Sequence, residues 1–151
     1  MEKQISFDYI RGLIDGEGCF SFCSIPLRSA DGKRKQKLPC FTLAMSKRDT
    51  DLISAVRDKL NIRNTVYTYA ARKRPDNYNR QGMAILIVRD FGQIKNIIVP
   101  LFYKKLFGFK AVQFEKWIQE MGSNQDVPER YKLITKIYNN GFYEKNFRNY
   151  D

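Results

Sequence analysis

The stretch Ile10-Arg11-Gly12-Leu13-Ile14-Asp15-Gly16-Glu17-Gly18 constrains this chain more than any other. Residues 6–14 read as an amphipathic helix. Ser6 is a ready N-cap, Asp8 suits the first turn, and Tyr9, Ile10, Leu13 and Ile14 form an apolar stripe. Gly16 and Gly18 then break the helical pattern and permit a tight exit into a strand. Gly12 and Gly16 share one helix face, where missing side chains let another backbone approach closely. Helix packing within one subunit explains either glycine alone; the pair, set just before a carboxylate, points to a helix crossing. If two copies cross at this face, Glu17 of one is brought near Glu17 of the other. Two carboxylates at helix C-termini face an unfavourable dipole as well as each other, unless a divalent cation compensates. Mg²⁺ or another hard divalent cation suits oxygen ligands and phosphate.

After Gly18 the hydrophobic period changes to two. Over 19–25, Phe20 and Phe22 fall on one face with Ser21 and Cys23 on the other. Over about 38–45, Phe41, Leu43 and Met45 alternate with Cys40, Thr42 and Ala44. Both strands are expected to bury the large residues and present the small or polar ones outward. A charged connection containing Asp31-Gly32 and running to Lys37 joins them as a long hairpin. A helix is predicted over 49–60, an alternating Thr- and Tyr-rich stretch over 64–71, a basic loop around Pro75 and a strand over 83–88. The rest reads as helical: a short helix over 90–96, an interruption at Pro100, a helix over 110–121 and a linker over 122–124. A last helix over 128–138 precedes a frayed, Asn-rich tail.

A 151-residue chain that is 43% apolar, with 11 Phe and 9 Tyr, can hold a core without metal or disulfide staples. Cys19, Cys23 and Cys40 lack paired metal-site spacing, and no histidine completes a mixed cluster. They read as small, partly buried side chains in a reducing compartment. The missing histidine also excludes histidine-based hydrolysis, and no Gly-rich Lys-Ser/Thr phosphate loop is present. The N-terminal residues carry no cleavage signature, which argues against secretion, and no stretch approaches a membrane span. Lys and Arg number 27 against 16 acidic residues, a net charge of +11 that favours a nucleic-acid or other anionic partner. The excess is clustered: Arg28, Lys33, Arg34, Lys35 and Lys37 in one segment, Arg72, Lys73, Arg74 and Arg80 in another, both between strands.

The segment from Ile10 to Gly18 resembles the signature of the LAGLIDADG homing endonucleases. Its first glycine, Leu-Ile-Asp core, second glycine, acidic residue and final glycine all fall in register. The Cys-Phe-Ser-Phe strand, Phe41-Thr42-Leu43 and the helix opening near Asp49 are similar to that family as well. So are Pro100-Leu101, Leu106-Phe107-Gly108-Phe109-Lys110 and Phe114-Glu115-Lys116-Trp117, so the likeness covers residues 5–121 or so. It implies an α+β, αββαββα fold whose antiparallel sheet forms a DNA-binding saddle with helices on its other face. Residues 1–121 would be the DNA-binding and cleavage domain, and 122–151 a C-terminal helical extension and tail. It also implies metal-dependent cutting of both DNA strands in intron homing. Because the sequence carries one motif, it implies a homodimer on an approximately palindromic site. The protein would be intracellular, in an organelle or a microbial cytoplasm.

Residue by residue, the resemblance makes Glu17 the catalytic metal ligand, with Asp15 a weaker metal candidate. It puts Gly12, Leu13 and Gly16 in the dimer interface. Arg11, where the family commonly has a small residue, would stand beside that interface. Lys110 matches a lysine close to the scissile phosphates. Several family members have a polar water-positioning residue at the end of the second strand. Met45 is the closest match, so either Ser46 substitutes or the alignment slips by one. Ser21, Cys23, Thr42, Thr68 and Tyr69 are the candidates for base edges, with the clustered cations reaching further along the duplex. Two other readings compete: a non-cutting binder of the same fold, such as an intron maturase or regulator, and a basic ribosome-associated module.

Overall fold

In the computed structural model, residues 3–28, 32, 34–71 and 82–151 are described. Ser6 caps helix α1 (Phe7–Glu17) as expected, its hydroxyl oxygen accepting from the Tyr9 N–H at 3.0 Å. The helix does not end near Ile14, however; it runs through Gly16 to Glu17. The exit falls at Gly18, whose backbone is extended and whose N–H donates to the Ile14 carbonyl. A Cβ on Gly18 would lie 2.4 Å from the Ile14 Cγ2, so glycine is required there by close approach and not by a left-handed turn.

Strand β1 (Gly18–Pro26) pairs antiparallel with β2 (Lys35–Ser46). Helix α2 (Thr50–Lys59) then leads to β3 (Tyr67–Tyr69) and β4 (Met83–Val88), which complete an antiparallel sheet in the order β1-β2-β4-β3. Strand β2 starts at Lys35, earlier than its apolar alternation predicts, because the Leu27 N–H donates to the Arg34 carbonyl at 2.8 Å and extends the ladder. Register assigns the two faces. Phe20, Phe41 and Val88 lie side by side on one, as do Leu43 and Leu86, and all five are buried. Among the described residues, the helices pack on this face. The other face is open and forms a saddle-like surface, giving an α+β, αββαββα core with added C-terminal helices.

Pro100 does not interrupt its helix. Short helix α3 (Phe91–Gln93), a π-helical turn (Ile94–Ile98) and α4 (Val99–Phe102) run on continuously, with Pro100 in the first turn of α4. The wider turn, closed by the Val99 N–H on the Ile94 carbonyl, lets the helix pass a residue that has no N–H to give. Helix α5 (Phe109–Ser123) packs against β1 through Phe114 and Trp117, and the Trp117 indole N–H donates to the Ser21 carbonyl at 2.7 Å.

The tail is not frayed. Helices α6 (Glu129–Asn139) and α7 (Phe142–Lys145) are followed by a 3-10 turn over Arg148–Tyr150. Tyr131, Ile134 and Tyr143 belong to the main core. The Tyr131 hydroxyl donates to the Arg89 carbonyl at 2.6 Å and that of Tyr143 to the Lys95 carbonyl at 2.9 Å. The last turn reaches α1, where Tyr150 meets the Phe7 ring edge-on.

Arg11 is what this tail engages. Its guanidinium turns into its own chain, leaving the residue 5% exposed. It donates to the Leu101 carbonyl at 2.8 Å, to the Asp8 carboxylate at 2.9 Å and to the Tyr150 carbonyl. A planar, multi-donor cation thus joins α1, α4 and the C-terminal turn. Arg11→Ala leaves the buried Leu101 carbonyl and the half-buried Tyr150 carbonyl without this donor. It should destabilise the fold by about 2–3 kcal/mol, a fall in Tm of roughly 4–12 °C for a chain of this size. A thermal melt unchanged within about 1 °C would show that these contacts contribute nothing net.

Candidate functional site

Helix α1 ends with Glu17 exposed, and its carboxylate engages no partner among the described residues. Gly12 and Gly16 are exposed on the same helix, and a Cβ added to either would meet nothing within 4 Å. Nothing among the described residues therefore requires glycine at these two positions. Leu13, between them, is partly buried against the core.

Asp15 has a definite structural task. Its carboxylate accepts from the Phe107 N–H at 3.0 Å and from the Gly108 N–H, also at 3.0 Å. These are the backbone groups just ahead of α5, which has no side-chain cap of its own. Asp15 thus acts as a cap delivered from another helix and locks the end of α1 to the start of α5. Glu17 and Lys110 lie on the two sides of this joint, each two residues from it in sequence. The Lys110 ammonium donates to the Gln113 side-chain oxygen at 3.3 Å, a weak contact along its own helix.

The clamp also leaves a feature that sequence reasoning missed. Phe107 and Phe109 flank the clamped Gly108 and stand 95% and 71% exposed. An isolated Leu-Phe-Gly-Phe run reads as core material; only the fixed backbone direction at Gly108 turns both rings outward.

At the end of β2, register puts Met45 and Ser46 on opposite faces of the sheet. Met45 lies opposite buried Ala84 and packs on the core, whereas Ser46 lies opposite Met83 on the open face. Its hydroxyl oxygen also accepts weakly from the Arg48 N–H at 3.4 Å, at the start of a 3-10 turn.

Of the residues expected to face bases, Ser21, Cys23 and Thr42 lie on the open face: Thr42 is opposite Cys19 and Ile87, Ser21 opposite Cys40, and Cys23 opposite Leu38. Tyr69 is there too, opposite Met83, and is 51% exposed. Thr68 is not. It lies opposite Ala84, on the helix-bearing face, because adjacent strand residues point to opposite sides. Lys35 and Lys37 share its parity, being opposite Pro26 and Ser24. Arg28 and Arg34 flank the hairpin connection and are exposed. Lys33, Arg72, Lys73, Arg74 and Arg80 lie outside the described residues. Cys40 is on the open face by register yet 2% exposed; burial pushes its thiol up to about 12, so it stays protonated and inert.

Three exposed cations absent from the sequence-based expectation border the same face. Lys47 and Arg48 directly follow Ser46, and Arg89 directly follows Val88. Each sits just past a strand end, where a local charge count does not single it out.

For a metal, the donor set is oxygen-only and partial. No group of three or more His, Cys, Asp or Glu side chains converges among the described residues. Asp15 is engaged by backbone N–H groups, which leaves Glu17 as the one uncommitted carboxylate at this end of α1. Among the described residues, this single carboxylate does not by itself make a hard-cation site.

Residues 10–121 match the family model described as LAGLIDADG endonuclease. No curated protein matches the chain. Among solved structures it is similar to the homing endonuclease I-TnaI, at 25% identity and a TM-score of 0.59, over 98% of this chain and 92% of that one. It is similar to the LAGLIDADG meganuclease I-CpaMI bound to uncleaved DNA, at 19% identity and a TM-score of 0.62, over 92% of this chain and 46% of that one. It also resembles I-SmaMI bound to an uncleaved DNA target in the presence of calcium ions, at 17% identity and a TM-score of 0.59, over 88% and 43%. The chain therefore spans nearly all of the first structure and less than half of each of the other two. With a single motif at the end of α1 and an open sheet beside it, the chain belongs to the LAGLIDADG endonuclease family.

Proposed function

We propose that this chain is a sequence-specific, metal-dependent endonuclease of double-stranded DNA that works as a homodimer on an approximately palindromic site. The observation that carries the reading is the end of α1: an uncommitted Glu17 beside a helix face at Gly12 and Gly16 that is open in the single chain. Two such faces in contact exclude water, bring the backbones together and supply the second carboxylate. The exposed Phe107 and Phe109 stand on the segment that Asp15 ties to the end of α1. Further support comes from the relatives. I-SmaMI holds its DNA target in the presence of calcium ions, and this chain matches 43% of its length, as one half of a two-part assembly would.

Each residue has a part in this reading. Glu17 would hold a hard cation such as Mg²⁺, which when bound supplies water activation and stabilisation of the leaving oxygen. Lys110 carries an ammonium that offsets charge developing on the phosphate. Ser46 orients water from the open face, and Asp15 positions Lys110 through α5. Ser21, Cys23, Thr42 and Tyr69 face the bases, while the surrounding cations neutralise phosphates. Residues 122–151 brace the domain from behind through Arg11.

The test is a pair of selections from a random duplex library, one for bound and one for cleaved sites in Mg²⁺. The expected result is a set of cut sites with two inverted half-sites. Sequence-specific binding without cutting would overturn the endonuclease in favour of a regulator or maturase. Salt-sensitive binding with no preferred sequence would favour a basic ribosome-associated module.

A further inference from the structure

The chemistry of the open face is unusual for a surface that reads DNA. Register assigns Cys19, Ser21, Cys23 and Ile25 of β1 to it, with Gln36, Leu38, Cys40, Thr42, Ala44 and Ser46 of β2. Strand β4 contributes Met83, Ile85 and Ile87, and β3 contributes Tyr67 and Tyr69. Not one of these strand residues is charged, and Gln36 alone carries an amide. The bidentate readers of guanine and adenine, Arg, Lys, Asn and Gln, are thus missing from the middle of the saddle. In their place β4 presents an apolar line. Met83 is 39% exposed, Ile85 and Ile87 are partly exposed, and Tyr67 and Tyr69, each 51% exposed, lie opposite Ile85 and Met83. Lys47 and Arg48 follow the end of β2 beside Met83, and Arg89 follows the other end of β4, so cations bracket the line.

We propose that this β4 line is a thymine reader: Met83, Ile85 and Ile87 pack on the 5-methyl groups of thymines in the major groove, with Tyr67 and Tyr69 flanking them. The proposal rests on the reading that duplex DNA lies across this face. Thymine is the one base whose major-groove edge carries an apolar group. Against G·C pairs, the same side chains would desolvate the guanine acceptors and the cytosine amino group without replacing their hydrogen bonds. The flanking cations favour DNA over a protein partner, because phosphates on both sides of the groove need countercharge at the ends of the line. The half-site segment under β4 should therefore be rich in T·A pairs.

The first arm of the experiment leaves the protein unchanged and alters only the DNA. Sites are selected from a random duplex library by binding in Ca²⁺, and each thymine of the best duplex is replaced in turn by deoxyuridine, which lacks only the 5-methyl group. At two or three positions per half-site, affinity should fall about three- to fourfold per methyl removed. The same loss should vanish in Ile87→Ala or Ile85→Ala at the position that each side chain covers. Specific binding that is indifferent to deoxyuridine throughout, or selected half-sites dominated by G·C under β4, would overturn the thymine reader and leave the endonuclease standing. Absence of any preferred duplex in the selection would overturn both. Tight capture of a protein competitor that displaces DNA from Tyr67 and Tyr69 would assign the line to protein docking instead.

Discussion

Glu17→Gln should bind target DNA almost as well as the parent protein and cut it slower by roughly three or more orders of magnitude in Mg²⁺. The substitution keeps the shape of the side chain and removes its charge. Glu17 is exposed and engages no partner among the described residues, so folding should barely register the change. Surface changes of this kind stay within about 0.5 kcal/mol. What disappears is half of the anionic oxygen set that the proposed dimer offers to a cation. Losing several kcal/mol of transition-state stabilisation corresponds to the stated loss, since each tenfold in rate is about 1.4 kcal/mol. Binding is measured by gel shift or anisotropy in Ca²⁺, and cutting by single-turnover cleavage across a Mg²⁺ titration. A Gln variant that cuts at the parental rate would remove Glu17 from the chemistry. One that loses binding to the same extent as cutting would make it a structural residue.

How much of this was legible before any coordinates depends on the range of the interaction. Alternation over 19–25 and 38–45 is a local property, and it assigned the buried face of β1 and β2 correctly because Phe20, Phe41 and Leu43 have no other place to go. The same parity separates Thr68 from Tyr69 and puts Lys35 and Lys37 on the helix-bearing side of β2. Residue type alone, Thr beside Tyr, does not carry that distinction. Arg11 was illegible for a different reason. Its partners lie 90 residues away at Leu101 and 139 away at Tyr150, and no window of sequence contains them. The outward turn of Phe107 and Phe109 likewise depends on Asp15, which lies some ninety residues earlier. The rule that proline interrupts a helix holds for helix interiors; Pro100 sits in the first turn of α4, behind a π turn that needs no N–H from it.

The second large effect concerns the glycines, where the single chain and the proposed dimer predict opposite signs. Gly16 lies inside α1, and a Cβ there meets nothing within 4 Å. Within one chain, Gly16→Leu replaces a poor helix former by a good one and should favour the folded subunit by roughly 0.5–1 kcal/mol. Across a close helix crossing, the same side chain would occupy the space that the partner's backbone needs. The variant should therefore run as a monomer in sedimentation at concentrations where the parent is dimeric, and lose cleavage of the full site. Its helical circular dichroism, and its melt at dilutions where both proteins are monomeric, should be retained or improved. Gly12→Leu should behave alike, and Gly16→Ala should weaken dimerisation less, because one methyl group leaves more of the approach open. The divergence between fold and assembly is the diagnostic feature. A leucine variant that unfolds would show that Gly16 is needed within the subunit, against the open space around it. One that stays dimeric and cuts would move the interface to another surface and leave Glu17 without its second carboxylate.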